Sequence, residues 1–254
     1  MANEYLKRTP TSSGNRKVFT WSVWVKKTEN SGGFGRLFES GAVGNRTYFT
    51  YTDLDELRFS EQASNSNRDS LVSNYKLRDS SSICHVMIAV NSTLSNEDDR
   101  VKIYINGSSI NNHGFSTDDP PALNALFQHN ESGEVQYIGN SANQAADFQG
   151  YMSDVFHIDG QALTPDVFGF YKDGDGYQSS GTTNATDFRP GQWMPHAPRV
   201  IKKSIERSGG FGVNGFYLPM NDRSNPGADF HCAPNSIIKL KGEDLPQPQN
   251  GAPT

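Results

Sequence analysis

FQGYMSDVFHIDGQALTP, residues 148–165, is the stretch whose reading decides the fold. Phe148 precedes Gly150, which has no side chain to block a close backbone approach. An apolar-rich strand then runs from Tyr151 to Ile158, and Asp159-Gly160 turns it. A second stretch, RVKIYING at 100–107, repeats the device. Val101, Ile103 and Ile105 alternate with Lys102 and Tyr104, so one face is apolar. Asn106-Gly107 supplies the positive φ angles of a two-residue hairpin turn.

Other runs of the same kind recur along the chain. Phe19–Lys27 alternates Phe19, Trp21, Val23 and Val25 with Thr20, Ser22, Trp24 and Lys26. Arg36–Ser40 is a short strand. Thr47–Tyr51 and Glu56–Ser60 form a hairpin with Asp53 to Asp55 at its tip, and Leu71–Leu77 is a weaker strand. His85–Asn91 is continuously apolar, as a central strand covered on both sides should be. Arg100–Asn106, Glu134–Gly139 and Tyr151–Ile158 follow. Phe216–Met220 returns to the sheet, and Pro219 keeps it near an edge. Helix is scarce. Thr164 as N-cap and Pro165 at the first position predict one over Pro165–Tyr171, and Pro121–Gln128 is a candidate for one or two turns. Residues 172–215, rich in Gly, Ser, Thr and Pro, read as an irregular C-terminal excursion packed on a single domain spanning 1–230. Residues 231–254 read as an extended C-terminal arm. The chain opens almost directly on the domain, which favours docking by its own surface or by that arm.

Bulk properties narrow the classes. The 254 residues are 34% hydrophobic, carry a net charge of −5, and contain 24 Gly and 13 Pro. Mean hydropathy is −0.66 and the pI about 5.7. A chain this polar suits a sandwich, where only one face of each sheet must be apolar. No basic stripe is present, which argues against nucleic acid, and no apolar run approaches the ~20 residues of a membrane-spanning helix. The N-terminus lacks the apolar core of a signal peptide. Two cysteines are too few for a disulfide framework. Cys84 is expected to be a buried free thiol made in a reducing cytoplasm, with a bridge to Cys232 as the alternative. No heptad or repeat of a fibre shaft appears.

The order WSVWVKK, CHVMIAVNST, DRVKIYING, VQYIGNS, FQGYMSDVFHIDGQALTP and GFGVNGFYLPMND resembles a laminin-G-like, concanavalin-A-like domain. More closely, it is similar to domains in structural and fibre proteins of marine bacteriophages, especially those infecting cyanobacteria. The resemblance covers most of residues 9–230. Ile83-Cys84-His85 departs from it, because relatives often carry an aromatic pair before that histidine. The resemblance implies an all-β, two-sheet antiparallel jelly-roll sandwich with few short helices. It also implies a virion protein, made in the host cytoplasm, that binds a host surface glycan or other virion subunits and works as a homo-oligomer. It carries over no catalytic residue.

Residues with chemistry in them are sparse. Asp53 and Asp55 would share a face in a strand, yet the spacing lacks the further acid that glycan hydrolysis on this fold uses. Asp173-Gly-Asp175-Gly resembles half of a calcium loop, and Tyr177 stands where a third oxygen ligand would be. Asp173 and Asp175 are therefore the candidate ligands for calcium, against the plainer reading of a turn; no other cofactor is expected. His85, His157 and His196 lack zinc-ligand spacing. Gly32-Gly33-Phe-Gly35 and Gly209-Gly210-Phe-Gly212 do not follow a strand and open a helix, so they are turns rather than phosphate loops. For sugar binding, Trp24, Tyr104 and Trp193 are the candidates, since sugars stack on rings flanked by polar groups. The competing reading makes the same rings core or interface.

These features lead to a non-enzymatic phage virion structural protein, at a fibre or decorating a capsid, that adheres through its surface. Repeated copies would turn weak contacts into avidity. A lectin module for host receptor recognition, a purely architectural subunit and, last, a glycan hydrolase are the rivals.

Overall fold

The computed structural model describes residues 4–28, 34–173, 176–177, 191–231 and 239–240. In chain order the strands are β1 Leu6–Arg8, β2 Val18–Lys27, β3 Gly35–Ala42, β4 Asn45–Tyr51, β5 Glu56–Ala63, β6 Ser66–Lys76, β7 Cys84–Asn91, β8 Val101–Ile105, β9 Ser108–Ser109, β10 Phe115–Asp119, β11 Gln136–Ile138, β12 Gly150–Asp159, β13 Gly169–Asp173, β14 Gly176–Tyr177, β15 Gln192–Pro195, β16 Phe216–Leu218 and β17 Lys239–Leu240. One α-helix, α1, spans Pro198–Ser208. An eight-stranded sheet in the order β10-β6-β5-β4-β3-β11-β1-β17 faces a six-stranded sheet in the order β16-β12-β2-β7-β8-β9. A three-stranded sheet, β14-β13-β15, is separate. Neighbouring strands pair antiparallel, as in a jelly-roll sandwich.

The alternation in β2 drives the arrangement. Phe19, Trp21, Val23 and Val25 enter the core between the sheets, where Phe49, Phe59, Val86, Ile88 and Ile103 meet them. Trp21 packs edge-on against Phe49 at 6.1 Å. Each such side chain, fully buried, stabilises the fold by about 1.5–3 kcal/mol as an upper estimate. The decisive stretch 148–165 pairs along β2 from Gly150 opposite Lys27 to Asp159 opposite Phe19. The register slips between Ser153 and Phe156, with Asp154 at φ +50. This bulge sends Val155 into the core and turns Phe156 to the opposite face. The turn after it is fastened by Thr20, whose hydroxyl donates to the Gln161 carbonyl at 2.7 Å and accepts from the Leu163 amide at 2.8 Å.

The other face of β2, β7 and β12 is also covered. Met87, Ala89, Phe156, Ile158, Phe168, Ile201, Ile205, Phe211 and Tyr217 form a second core there. Helix α1 supplies Ile201 and Ile205, one turn apart on one face. Three expectations change here. The helix expected over Pro165–Tyr171 is a single 3-10 turn, Pro165–Val167. It stops because Phe168 is buried in the second core and Gly169 begins β13, which pairs with β15. The excursion is less irregular than its composition suggests, because α1 lies inside it. Residues 121–128 form turns without a helix. Cys84 is a buried free thiol, and Cys232 lies outside the described residues. No described helix is long and apolar enough to cross a membrane.

Candidate functional site

The three aromatic candidates share the outer face of the six-stranded sheet. Trp24 and His85 are cross-strand neighbours with ring centroids 5.2 Å apart. Trp193 stacks on His85 with ring centroids 6.0 Å apart. Gly107 and Gly169 leave room for its indole, since a Cβ on Gly107 would overlap the ring and one on Gly169 would lie 2.6 Å from it. Trp193 is only 8% exposed, and its Nε1 has no hydrogen-bond partner. Tyr104 is half-buried against the second core. Burial, helped by Asp166 and Asp99, pushes its phenol above the ordinary value. Burial also lowers the imidazole of His85 to about 3, so it is neutral, and its Nε2 pairs with the Ser22 hydroxyl at 2.8 Å. These rings make a packed layer beneath the three-stranded sheet, with Trp24 and Tyr104 partly open to solvent.

Of the candidate calcium ligands, Asp175 and the side chain of Asp173 lie outside the described residues. The Asp173 backbone pairs with Gly176 as the last residue of β13. No group of three His, Cys, Asp or Glu suited to a metal occurs among the described residues. Asp53 and Asp55 do not form an acid pair: Asp53 is exposed, whereas Asp55 is buried at φ +65 and ion-paired with Lys27.

A different cluster is assembled on the outer face of the eight-stranded sheet. Phe49, Leu57 and Phe59 point into the core, so Tyr48 and Arg58 between them point out. Arg36, Arg46 and Arg58, from three adjacent strands, lie over the Tyr48 ring with guanidinium carbons 3.9, 5.4 and 5.7 Å from its centroid. Glu39, fully buried, lies 2.8 Å from Arg36 Nε and 3.3 Å from Arg46 Nη1, and accepts the Ala142 amide at 2.8 Å. Gln62 holds Arg46 through Nε at 2.6 Å. Burial, with Arg46 and Arg58 adding to it and Glu39 opposing, pulls the Arg36 guanidinium below its ordinary value. Two of the three guanidinium groups, Arg36 and Arg46, thus share one carboxylate. Arg58 Nε is buried with no hydrogen-bond partner, and so is the Ser70 hydroxyl on the neighbouring strand. Tyr137 stands across from Glu39 on the other side, half-buried, with its ring 6.0 Å from Tyr5.

Residues 2–168 match the Concanavalin A-like lectin/glucanases superfamily, Laminin_G_3. The chain belongs to that family. No curated protein matches the whole chain or a part of it. Among solved structures, a native heptameric SAP-like pentraxin from Limulus polyphemus is similar at 18% identity, with a TM-score of 0.45 over 64% of this chain and 72% of that one. The CBM40 domain of the Ruminococcus gnavus IT-sialidase, bound to α2,3-sialyllactose, is 14% identical, with a TM-score of 0.40 over 57% of this chain and 86% of that one. Tailspike protein 2 of the Escherichia coli O157:H7 bacteriophage CAB120 is 11% identical, with a TM-score of 0.41 over 60% of this chain and 21% of that one.

The sequence reading missed the guanidinium cluster. Arg36, Arg46 and Arg58 stand 10 and 12 positions apart and meet only through the registers of β3, β4 and β5. The available signal was an arginine at an outward position in each of three successive strands.

Proposed function

We propose that this laminin-G-like chain is a non-catalytic glycan-binding module, carried on a phage particle, that adheres through the outer face of its eight-stranded sheet. The observation that carries the reading is an asymmetry between the sheets. The outer face of the six-stranded sheet is filled by α1, Phe168 and the second core. Among the described residues no helix packs on the other outer face, which instead carries the half-buried Tyr137 ring beside guanidinium, hydroxyl and amide groups, with Tyr48, 4% exposed, buried beneath the guanidinium groups. Rings beside polar donors are what sugar recognition uses. The absence of turnover is supported by Glu39, the central carboxylate of that face, whose oxygens are engaged by Arg36, Arg46 and the Ala142 amide. Hydrolysis needs one carboxyl free to protonate the leaving oxygen and a second facing the sugar ring. The virion context rests on the resemblance carried by IDGQALTP and NGFYL, and multiple copies on a particle would supply avidity.

The test is to present the purified chain to a glycan array and to isolated bacterial surface polysaccharide, while following the release of reducing ends. Retention with no new reducing ends is expected. Accumulating reducing ends would replace the reading with a hydrolase. Cryo-electron microscopy of the particle then places the copies at a fibre or on the capsid, and their absence from it would remove the virion context.

A further inference from the structure

We infer that the outer face of the eight-stranded sheet is built for an acidic sugar, one whose carboxylate or sulfate is received by Arg58 and Arg46 beside Tyr48. The inference rests on the glycan-binding reading above and adds the chemical class of the ligand. The charges decide it. Three guanidinium groups against Glu39 leave the cluster at +2, on a chain whose net charge is −5. Arg36 and Arg46 are ion-paired with Glu39. Arg58 has only the Tyr48 ring, and its Nε is buried without a hydrogen-bond acceptor. A buried guanidinium donor without an acceptor is costly, and an anion that presents two oxygens, as a carboxylate or a sulfate does, is the partner its fork geometry fits. The Ser70 hydroxyl, in the Ser60–Ser70 pair two positions along the same two strands, is a second unsatisfied group.

The rest of the face suits a saccharide rather than a bare ion. Tyr137, Glu39 and Tyr48 lie in one cross-strand row, since Tyr137 is opposite Glu39 and Glu39 opposite Tyr48. Two strand spacings put Tyr137 and Tyr48 about 10 Å apart. One sugar can stack on Tyr137 while the acidic group of its neighbour reaches the guanidinium groups. Asn67 and Gln62 edge the same face with amide groups.

The experiment uses the whole chain on an array of neutral, carboxylate-bearing and sulfate-bearing oligosaccharides. It is repeated with Arg58→Gln and Tyr137→Ala, at low and high salt, with polyglutamate as competitor. Binding confined to acidic sugars is expected, weaker at high salt, and reduced about tenfold or more by Arg58→Gln. The melting temperature of that variant should not fall, because Arg58 makes no ion pair and its Nε has no acceptor to lose. Hits among carboxylated sugars alone or sulfated sugars alone identify which anion is received. Should Arg58→Gln fail to fold, Arg58→Lys, which keeps the charge and loses the fork, is expected to lose several-fold. Neutral sugars bound as well as acidic ones, with Arg58→Gln indifferent, would overturn the acidic class and leave the glycan reading standing. Complete displacement by polyglutamate at equal charge would reduce the face to a general anion patch and overturn the inference. No hit on the array would overturn both.

Discussion

His129 and His157 meet Nε2 to Nε2 at 2.7 Å, both fully buried between the two sheets. Their partners assign the protons. His157 Nδ1 lies 2.9 Å from the Asn214 carbonyl oxygen, which can only accept, so Nδ1 carries a hydrogen. Its Nε2 is then a bare acceptor, and His129 Nε2 donates to it. His129 Nδ1 is left as a lone pair with no partner. A second proton on His157 would set N–H against N–H. The ring of His129 packs at 4.3 Å from Phe19 and 4.8 Å from Phe38, so no water replaces the lost bond cheaply.

Acid should therefore loosen the sandwich from inside. Burial, together with Arg8, lowers His157 to about 3, and burial, His157 and Arg8 hold His129 well below the usual histidine range. Burial lowers His85 to about 3 as well. A depressed folded value means that the unfolded chain takes up protons first. The stability is present in full above the unfolded value near 6.5 and is lost as pH falls toward 3, by up to about 1.4 kcal/mol per pH unit for each group. Melting temperatures between pH 7.5 and 4.5 should fall. The fall should flatten when His129 and His157 are both replaced by Gln. A flat profile in the unmodified chain would refute this account.

Glu61 titrates in the opposite sense. It faces the core beside Thr47, whose hydroxyl donates to it, and accepts the Gln128 amide at 3.2 Å. Burial pushes its carboxyl up to about 7, and Thr47, Arg68 and Gln128 restrain the rise. Because the folded value lies above the unfolded one, ionisation costs stability as pH rises from about 4.5 to 7, on the order of 3 kcal/mol in full. Glu61→Gln removes that cost. Arg68, at 3.8 Å and well exposed, loses little when the charge goes. Urea titrations should show the variant gaining stability at pH 8 relative to its difference at pH 5. An equal difference at the two pH values would show that the carboxyl does not ionise in the folded state.

Glycine tests the close approach that the sequence implied at residue 150. A Cβ there would overlap the Lys26 carbonyl oxygen and come within 2.8 Å of the Phe148 ring. Backbone cannot move aside as a side chain can, so Gly150→Ala should cost about 2 kcal/mol or more through overpacking. Gly133 is the control. It has φ +85, and a Cβ added to it would meet nothing within 4 Å, so Gly133→Ala carries only the left-handed penalty of about 1 kcal/mol. A loss at Gly150 no larger than that at Gly133 in a thermal melt would show that the contacts at Gly150 yield, and would refute the close approach.

Much of the fold was legible because period-two alternation is a local property. Phe19, Trp21, Val23 and Val25 declare their face without knowledge of any partner. The bulge at Asp154 was not, since it depends on β12 keeping step with β2 on one side and β16 on the other. Helix α1 escaped for a related reason. Only Ile201 and Ile205 of its residues are buried, and it begins at a proline with no side-chain cap. Its stripe becomes meaningful only against Phe156 and Phe168, which arrive from distant parts of the chain. The site is the extreme case. Single aromatic residues stand out in a sequence, so Trp24, Tyr104 and Trp193 drew attention. A charge imbalance spread over three strands has no local signature.

Trp193→Ala separates the two faces. The indole fills the gap between Gly107, Gly169, His85 and Tyr171, the last with its ring edge-on at 4.9 Å. Truncation leaves a cavity that the two glycines cannot fill, and should cost about 3 kcal/mol or more. If recognition belongs to the guanidinium face, sugar affinity measured well below the variant's melting temperature should match that of the unmodified chain, because no strand is shared between Trp193 and Arg58. Trp24→Ala should behave likewise at smaller cost, since its ring is already partly in water. If affinity instead disappears with Trp193 or Trp24 while Arg58→Gln is silent, the Trp24–His85–Trp193 stack is the binding surface, and the unpaired guanidinium group of Arg58 would then need a structural explanation.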